Sequence, residues 1–171
     1  MFSSSSFLLS GIAFCLVGFP SSLASESDVK VGDVYAEITS ITTFTGYDEE
    51  SGMNVLEGSS IDLEIFGYRG SSECKIFGLH HRKTSGEGDF APGREDEFDG
   101  SDIQSCDGKR VHYYPGGISS IRVTHFGEDG WGVRKIDVLH HNIENHDYSY
   151  IQCGNDENVF VSDGESVDLS C

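Results

Sequence analysis

Oxygen-bearing side chains dominate the chemistry this sequence could perform. Asp48, Glu49 and Glu50 share one polar stretch, and Asp96 lies in a second. Glu128 and Asp129 occupy a short turn just before Trp131, the only tryptophan. Carboxylates on separate loops suit a hard cation such as calcium, which takes about six to eight oxygen ligands. No D-x-D-x-D-G loop is present, so a calcium site requires these six residues to converge from different loops. Seven histidines offer a second chemistry. His80–His81 and His140–His141 are adjacent pairs on expected strands, so the members of each pair point to opposite faces. One histidine from each pair could hold zinc or copper between neighbouring strand ends; the plainer alternative is imidazoles half in solvent. Covalent catalysis has no support: no G-x-S-x-G elbow or other nucleophile signature occurs, and the expectation is a protein that is not an enzyme.

The domain that positions these residues begins after a leader. Met1–Ser25 carries no charged side chain, contains the apolar run FLLSGIAFCLVGF, and ends in the small residues SSLAS. This pattern predicts a secretory signal cleaved near Ala24 or Ser25. The run is shorter than the roughly 20 residues that span a bilayer, and no later segment is apolar enough to do so. Residues 26–171 remain as one expected domain, secreted and extracellular. All 29 acidic and 11 basic residues fall within it, so the formal net charge of −18 belongs to that domain alone. Such a field repels nucleic acid and anionic membranes and attracts cations.

Outside the leader stand Cys74, Cys106, Cys153 and Cys171, an even number for an oxidising compartment. No Cys/His spacing supports a metal site. The pairing 74–106 with 153–171 is favoured because each bridge closes a local loop and the second ties down the carboxyl terminus.

Strand-like periodicity recurs along the chain. SIDLEIFGY alternates Ile61, Leu63 and Ile65 against acids, leaving one face apolar. Further strands are expected in DVYAEITSITTFT, ECKIFGLHH, KRVHYY, ISSIRVTHF, WGVRKIDVLHH, DYSYIQC and NVFVSDGESVDL. RKTSGEGDFAPGREDEFDGSD reads as the longest loop. About eight strands, turn-rich punctuation and no helical pattern predict an all-β protein, an antiparallel eight-stranded β-sandwich stabilised by disulfides. Within it, Trp131 and Val133 begin one strand face and Ile136 and Val138 resume it after a one-residue slip, as a β-bulge allows. Trp131 therefore reads first as a core residue, and second as an exposed anchor. Phe90 and Phe98 flank a glycine turn and read first as pins for the long loop. Phe90, beside Pro92, is the better of the two for an exposed lipid or partner contact.

Several short motifs occur in an order that resembles the PLAT domain family, the β-sandwich of polycystins, lipoxygenases, lipases and bacterial alpha-toxin. GYRGSS is similar to the family's G-x-x-G-x-S turn, and FAPGREDEF to its F-x-x-G-x-x-D-x-F signature at Phe90, Gly93, Asp96 and Phe98. Trp131, Val133, Ile136 and Val138 follow its tryptophan-and-aliphatic strand, and DYSYIQC its closing aromatic strand. The resemblance runs from about Asp33 to Leu169. It implies a PLAT-like sandwich and a non-catalytic module that engages a lipid surface or a protein partner through loops at one end, with calcium as the possible cofactor. The residues themselves, rather than the resemblance, supply Phe90 and Trp131 as candidate contacts and Asp48, Glu49, Glu50, Asp96, Glu128 and Asp129 as the candidate calcium set. Two other classes stay open: an acidic calcium-binding protein of extracellular matrix or mineral, motivated by the charge, and a small secreted hydrolase or toxin, motivated by size and secretion.

Overall fold

The computed structural model describes residues 35–53, 58–67, 70–84, 86, 88–112 and 117–171. The expected leader, Met1–Ser25, lies outside them, and the described residues belong to one compact unit, Val31–Cys171. Among the described residues no helix is long and apolar enough to cross a membrane.

Among the described residues nine strands form two antiparallel sheets. They are β1 (Tyr35–Thr45), β2 (Ser60–Gly67), β3 (Ser72–Ile76), β4 (Glu95–Asp99), β5 (Arg110–His112), β6 (Ile118–Phe126), β7 (Trp131–Asn142), β8 (Tyr148–Val161) and β9 (Ser166–Ser170). The first sheet has the order β4-β1-β7-β8, and the second β3-β2-β6-β9. β5 pairs with β1 beyond the end of β4, so nine strands fill eight positions. The expected sandwich is observed.

Alternation explains why the sheets face each other. Ile61, Leu63 and Ile65 of β2 and Ile121 and Val123 of β6 are buried between outward-pointing neighbours that are acidic or polar except for Phe66. Ala36, Ile38 and Ile41 of β1 with Ile136 and Val138 of β7 supply the opposing layer. The slip expected in β7 is present. Val133 pairs with Val159 but Lys135 pairs with Gly154, which leaves Arg134 facing four residues of β8, Asn155–Asn158. Arg134 is also skipped in the pairing with β1. This bulge keeps both Trp131 and Ile136 in the core despite an odd spacing between them.

The disulfides join Cys74 to Cys106 and Cys153 to Cys171, as the loop argument predicts. Both are bridges between sheets. Cys74 of β3 meets the excursion between β4 and β5, and Cys153 of β8 meets the residue after β9. Each open side of the sandwich is therefore closed covalently.

Three boundaries differ from expectation. β3 stops at Ile76, and Phe77–His81 starts the long loop instead of continuing the strand. DYSYIQC and NVFV are parts of one long strand, β8, joined through the bulge. The stretch expected to be entirely loop contains β4, whose sequence EDEFD alternates exposed acids with buried Asp96 and Phe98. A buried aspartate at an inward position hides the apolar alternation by which a strand is recognised.

Candidate functional site

The loops that matter gather at one end of the sandwich. Here β1 ends at Thr45, β6 ends at Phe126, β7 starts at Trp131 and β8 ends at Val161. The backbone N–H of Gly46 donates to Gly132 O at 2.8 Å, and Gly93 N–H donates to Gly46 O at 2.6 Å. These bonds tie the first loop to β7 and to the turn before β4. The β6–β7 hairpin is fastened by Gly127 N–H donating to Asp163 Oδ1 at 3.0 Å, and by the Ser59 hydroxyl donating to Asp129 Oδ1. Gly127 has φ +137°, and a Cβ there would strike Ser59, so this close crossing needs glycine.

Beneath the loops lies an aromatic plug. Phe90 and Trp131 are fully buried, 5.2 Å apart in an edge-on arrangement, and Phe98 stacks on Phe90 at 5.6 Å. Trp131 Nε1 donates to Thr45 Oγ1 at 3.1 Å, so the indole has its polar partner inside the core. Neither Phe90 nor Trp131 is placed to touch a surface or a partner. This corrects the contact assignment, while the readings of Trp131 as core and of Phe90 as a pin describe what is seen.

The six carboxylates separate into two groups. Asp48, Glu49 and Glu50 are exposed on a short 3-10 turn after β1. Glu128 and Asp129 are exposed on the hairpin at the same end. Asp96 is buried in β4, where Oδ2 accepts the Phe90 N–H at 2.8 Å and Oδ1 pairs with Arg94 Nε at 2.5 Å. Burial pushes the Asp96 carboxyl above its ordinary value, against the lowering effect of the Phe90 N–H and Arg94. Asp96 thus holds the loop and has no oxygen facing outward. Among the described residues, one set of three His, Cys, Asp or Glu has ligand atoms within 4.8 Å of one another: His81, Asp89 and Asp96. None of the exposed acids belongs to such a set, so among the described residues they do not converge as a calcium cage would require.

The His81 set is already internally satisfied. Nδ1 of His81 lies 2.6 Å from Asp89 Oδ1, and its Nε2 lies 2.7 Å from the Glu97 carbonyl oxygen. Asp89 Oδ2 also accepts the His81 backbone N–H at 2.7 Å. Burial pulls the His81 imidazole down, but Asp89 and the Glu97 carbonyl outweigh it and hold it above its ordinary value. The imidazole stacks on Phe98 at 4.5 Å and works as a loop clamp. His140, by contrast, is buried on β7 and shares a 3.0 Å hydrogen bond with Ser149 Oγ. His80 and His81 follow β3, in the second sheet, whereas His140 and His141 lie on β7, in the first, so the two pairs are not on the neighbouring strand ends that a zinc or copper pairing requires.

Exposed aromatic side chains at the loop end escaped the sequence reading. Tyr47 is 73% exposed, Phe160 50% and Phe126 43%. Phe126 follows inward-facing His125 at the end of β6, so the alternation itself placed it outside. Arg134, released by the bulge, lies 4.1 Å over the Tyr47 ring and donates to the Thr45 carbonyl at 3.2 Å.

The chain is thus an antiparallel two-sheet sandwich with these loops gathered at one end. A solved structure of similar architecture is the alpha toxin from Clostridium absonum, with a TM-score of 0.50 and 14% identity. The match covers 85% of this chain but only 34% of the toxin, so this chain spans about a third of that protein's length. It supports a PLAT-like sandwich fold. No protein-family model and no curated protein matches the sequence.

Proposed function

We propose that this is a secreted, acidic, non-catalytic module whose loop end docks on a zwitterionic lipid surface. The observation that carries the reading is the grouping of Tyr47, Phe126 and Phe160 as exposed rings at the end where the loops meet. Aromatic rings favour the membrane–water interface, where an apolar body and a polar rim are both accommodated. The exposed acids beside them oppose an anionic surface, which selects neutral headgroups. Secretion is supported by the leader-like sequence and two disulfides. The non-catalytic reading is supported by the one Ser, His and Asp grouping at this end. There His125 is fully buried with its Nε2 3.9 Å from Asp129 Oδ1, and the Ser59 hydroxyl is spent donating to that same oxygen, so the chain of contacts does not run from serine to histidine to aspartate.

Vesicle sedimentation tests the proposal. Phosphatidylcholine vesicles should capture the protein, and the triple variant Y47S/F126S/F160S should lose most of that capture. Calcium and chelator arms separate a calcium-assisted mode from an independent one. Absence of capture in every arm refutes the proposal. Low-affinity, salt-sensitive calcium uptake without capture would favour the matrix or mineral reading, and turnover in an esterase or protease screen would favour an enzyme.

A further inference from the structure

The outward face of the first sheet is a second surface, which runs away from the loop end along the strands. Strand register defines it. Tyr148 of β8, His141 of β7 and Glu37 of β1 form one row across the strands, with Arg110 of β5 at its end. Tyr150, Leu139, Ser40 and Asp99 form the next, followed by Gln152, Asp137, Thr42 and Glu97. The strand register turns all of these away from the core, although Ser40 and Thr42 are covered by their neighbours, Ser40 Oγ donating to Glu97 Oε1 at 3.0 Å.

Two chemistries meet on this face. Tyr148 is 63% exposed and Tyr150 60%, and they sit two residues apart on an edge strand. His141 stacks under Tyr148 at 4.7 Å and continues to His146 at 5.7 Å, so one face of the Tyr148 ring is braced. Glu95, Glu97 and Asp99 line the opposite edge on β4, with Glu37 and Asp137 between. The cations beside the face are Arg110, paired with Glu37 at 3.4 Å, Lys135, which lies 3.8 Å from Asp137 and 4.3 Å over the Phe44 ring, and Arg134, 6.0 Å from that ring and 4.1 Å over Tyr47. Five carboxylates outnumber three committed cations.

We infer that this face binds an extended, basic segment of a partner protein, its Arg or Lys side chains lying over Tyr148 and Tyr150 and reaching the carboxylates of β1, β7 and β4. Charge complementarity selects this occupant, because cationic side chains stack on aromatic faces and pair with carboxylates. Two arguments exclude a second copy of the chain. Each copy carries a formal charge of −18. The face also measures about 14 by 20 Å from strand and residue spacings, roughly 300 Å². A stable dimer buries about 800 Å² on each partner. An area of that size suits a short segment.

A fluorescent nona-arginine peptide titrated by anisotropy is the test. Binding should weaken from low salt to about 0.15 M salt. Y148A/Y150A changes no charge and should weaken binding about tenfold, because two stacked cations are lost. E97Q/D99N should weaken it more than E49Q/E50Q, which removes the same charge from the loop end. Thermal melting checks that each variant remains folded, and both tyrosines are exposed enough to be dispensable for the core. Equal losses from E97Q/D99N and E49Q/E50Q, or an unchanged affinity in Y148A/Y150A, would reduce the binding to diffuse attraction and overturn the inference. A salt-insensitive affinity for a neutral cello-oligosaccharide, or a dimer in sedimentation, would also overturn it if lost in Y148A/Y150A. The vesicle assay of the loop end is independent, so either result can fail alone.

Discussion

Phe90 gives a test in which glycine should be kinder than alanine. Its ring is fully buried between Phe98 and Trp131, yet its backbone has φ +58°, the left-handed region that β-carbons disfavour. Truncating a buried phenylalanine to alanine costs about 3–5 kcal/mol, and two aromatic neighbours place F90A toward the upper end. In ordinary strands and helices glycine is worse than alanine by roughly 0.5–1 kcal/mol. At a left-handed position the order reverses, because a β-carbon there costs about 1–2 kcal/mol that glycine avoids. F90G should therefore be about 1 kcal/mol more stable than F90A, although it removes one atom more. Urea unfolding followed by the fluorescence of Trp131, itself packed on the deleted ring, measures both variants. F90G falling below F90A by the usual margin would refute the strained-pin argument. F90A costing under about 1.5 kcal/mol would refute the account of the plug as a packed core.

Acid should weaken the fold through two buried histidines. Burial holds His125 and His140 below their ordinary value, partly offset by Asp129 and Asp163 at His125 and by the Val138 carbonyl at His140. With folded values below 6.5, stability is full above pH 6.5. It falls as pH drops from there towards the folded values, by up to about 1.4 kcal/mol per pH unit for each proton that only the unfolded chain binds. His81 has the opposite sign: its raised value contributes stability present below pH 6.5 and lost as pH rises through the folded value. NMR titration should find His125 and His140 protonating below, and His81 above, a free imidazole; His125 at or above the free value would sink the account. Removing Cys74–Cys106 in C74S/C106S should cost roughly 3–4 kcal/mol by loop entropy and lower the urea midpoint. A loss under about 1 kcal/mol would mean that Ser105 donating to the Lys75 carbonyl, and Arg82 N–H donating to Asp102, hold that excursion without the bridge.

Much of the sandwich was legible because its central strands obey alternation. The stretches ISSIRVTHF and WGVRKIDVLHH match β6 and β7 closely, and the slip around Arg134 was visible as an odd spacing between apolar residues. The site was less legible for a physical reason. Alternation reports which way a side chain points, but not what covers the loop above it. Asp96 lies in a glycine-rich acidic stretch and read as a loop ligand, and Phe90 read as a pin before it read as a contact; the chain folds that stretch back over the sheet edge and buries both. Tyr47 and Phe160, near strand ends, carried no comparable signal. Phe126 did, since the inward histidine beside it fixed its direction.

The same distinction changes what a net charge of −18 means. Asp62 accepts the Gly78 N–H, Asp89 that of His81, Asp96 that of Phe90, Asp102 that of Arg82 and Asp163 that of Gly127. These acids serve as fasteners for loop backbone that has no strand partner, a role in which a charged acceptor is stronger than a neutral one. Four of the five organise the connections from β3 through β5, where glycines are frequent and regular pairing lapses. The carboxylates left to act on a partner are a separate population: the tips beside Tyr47 and Phe126, and the face beside Tyr148 and Tyr150. Neutralising a fastener should then lower stability and leave partner affinity alone, whereas neutralising a face carboxylate should do the reverse. Total charge predicts neither outcome, because the two populations differ in which backbone N–H groups their oxygens already hold.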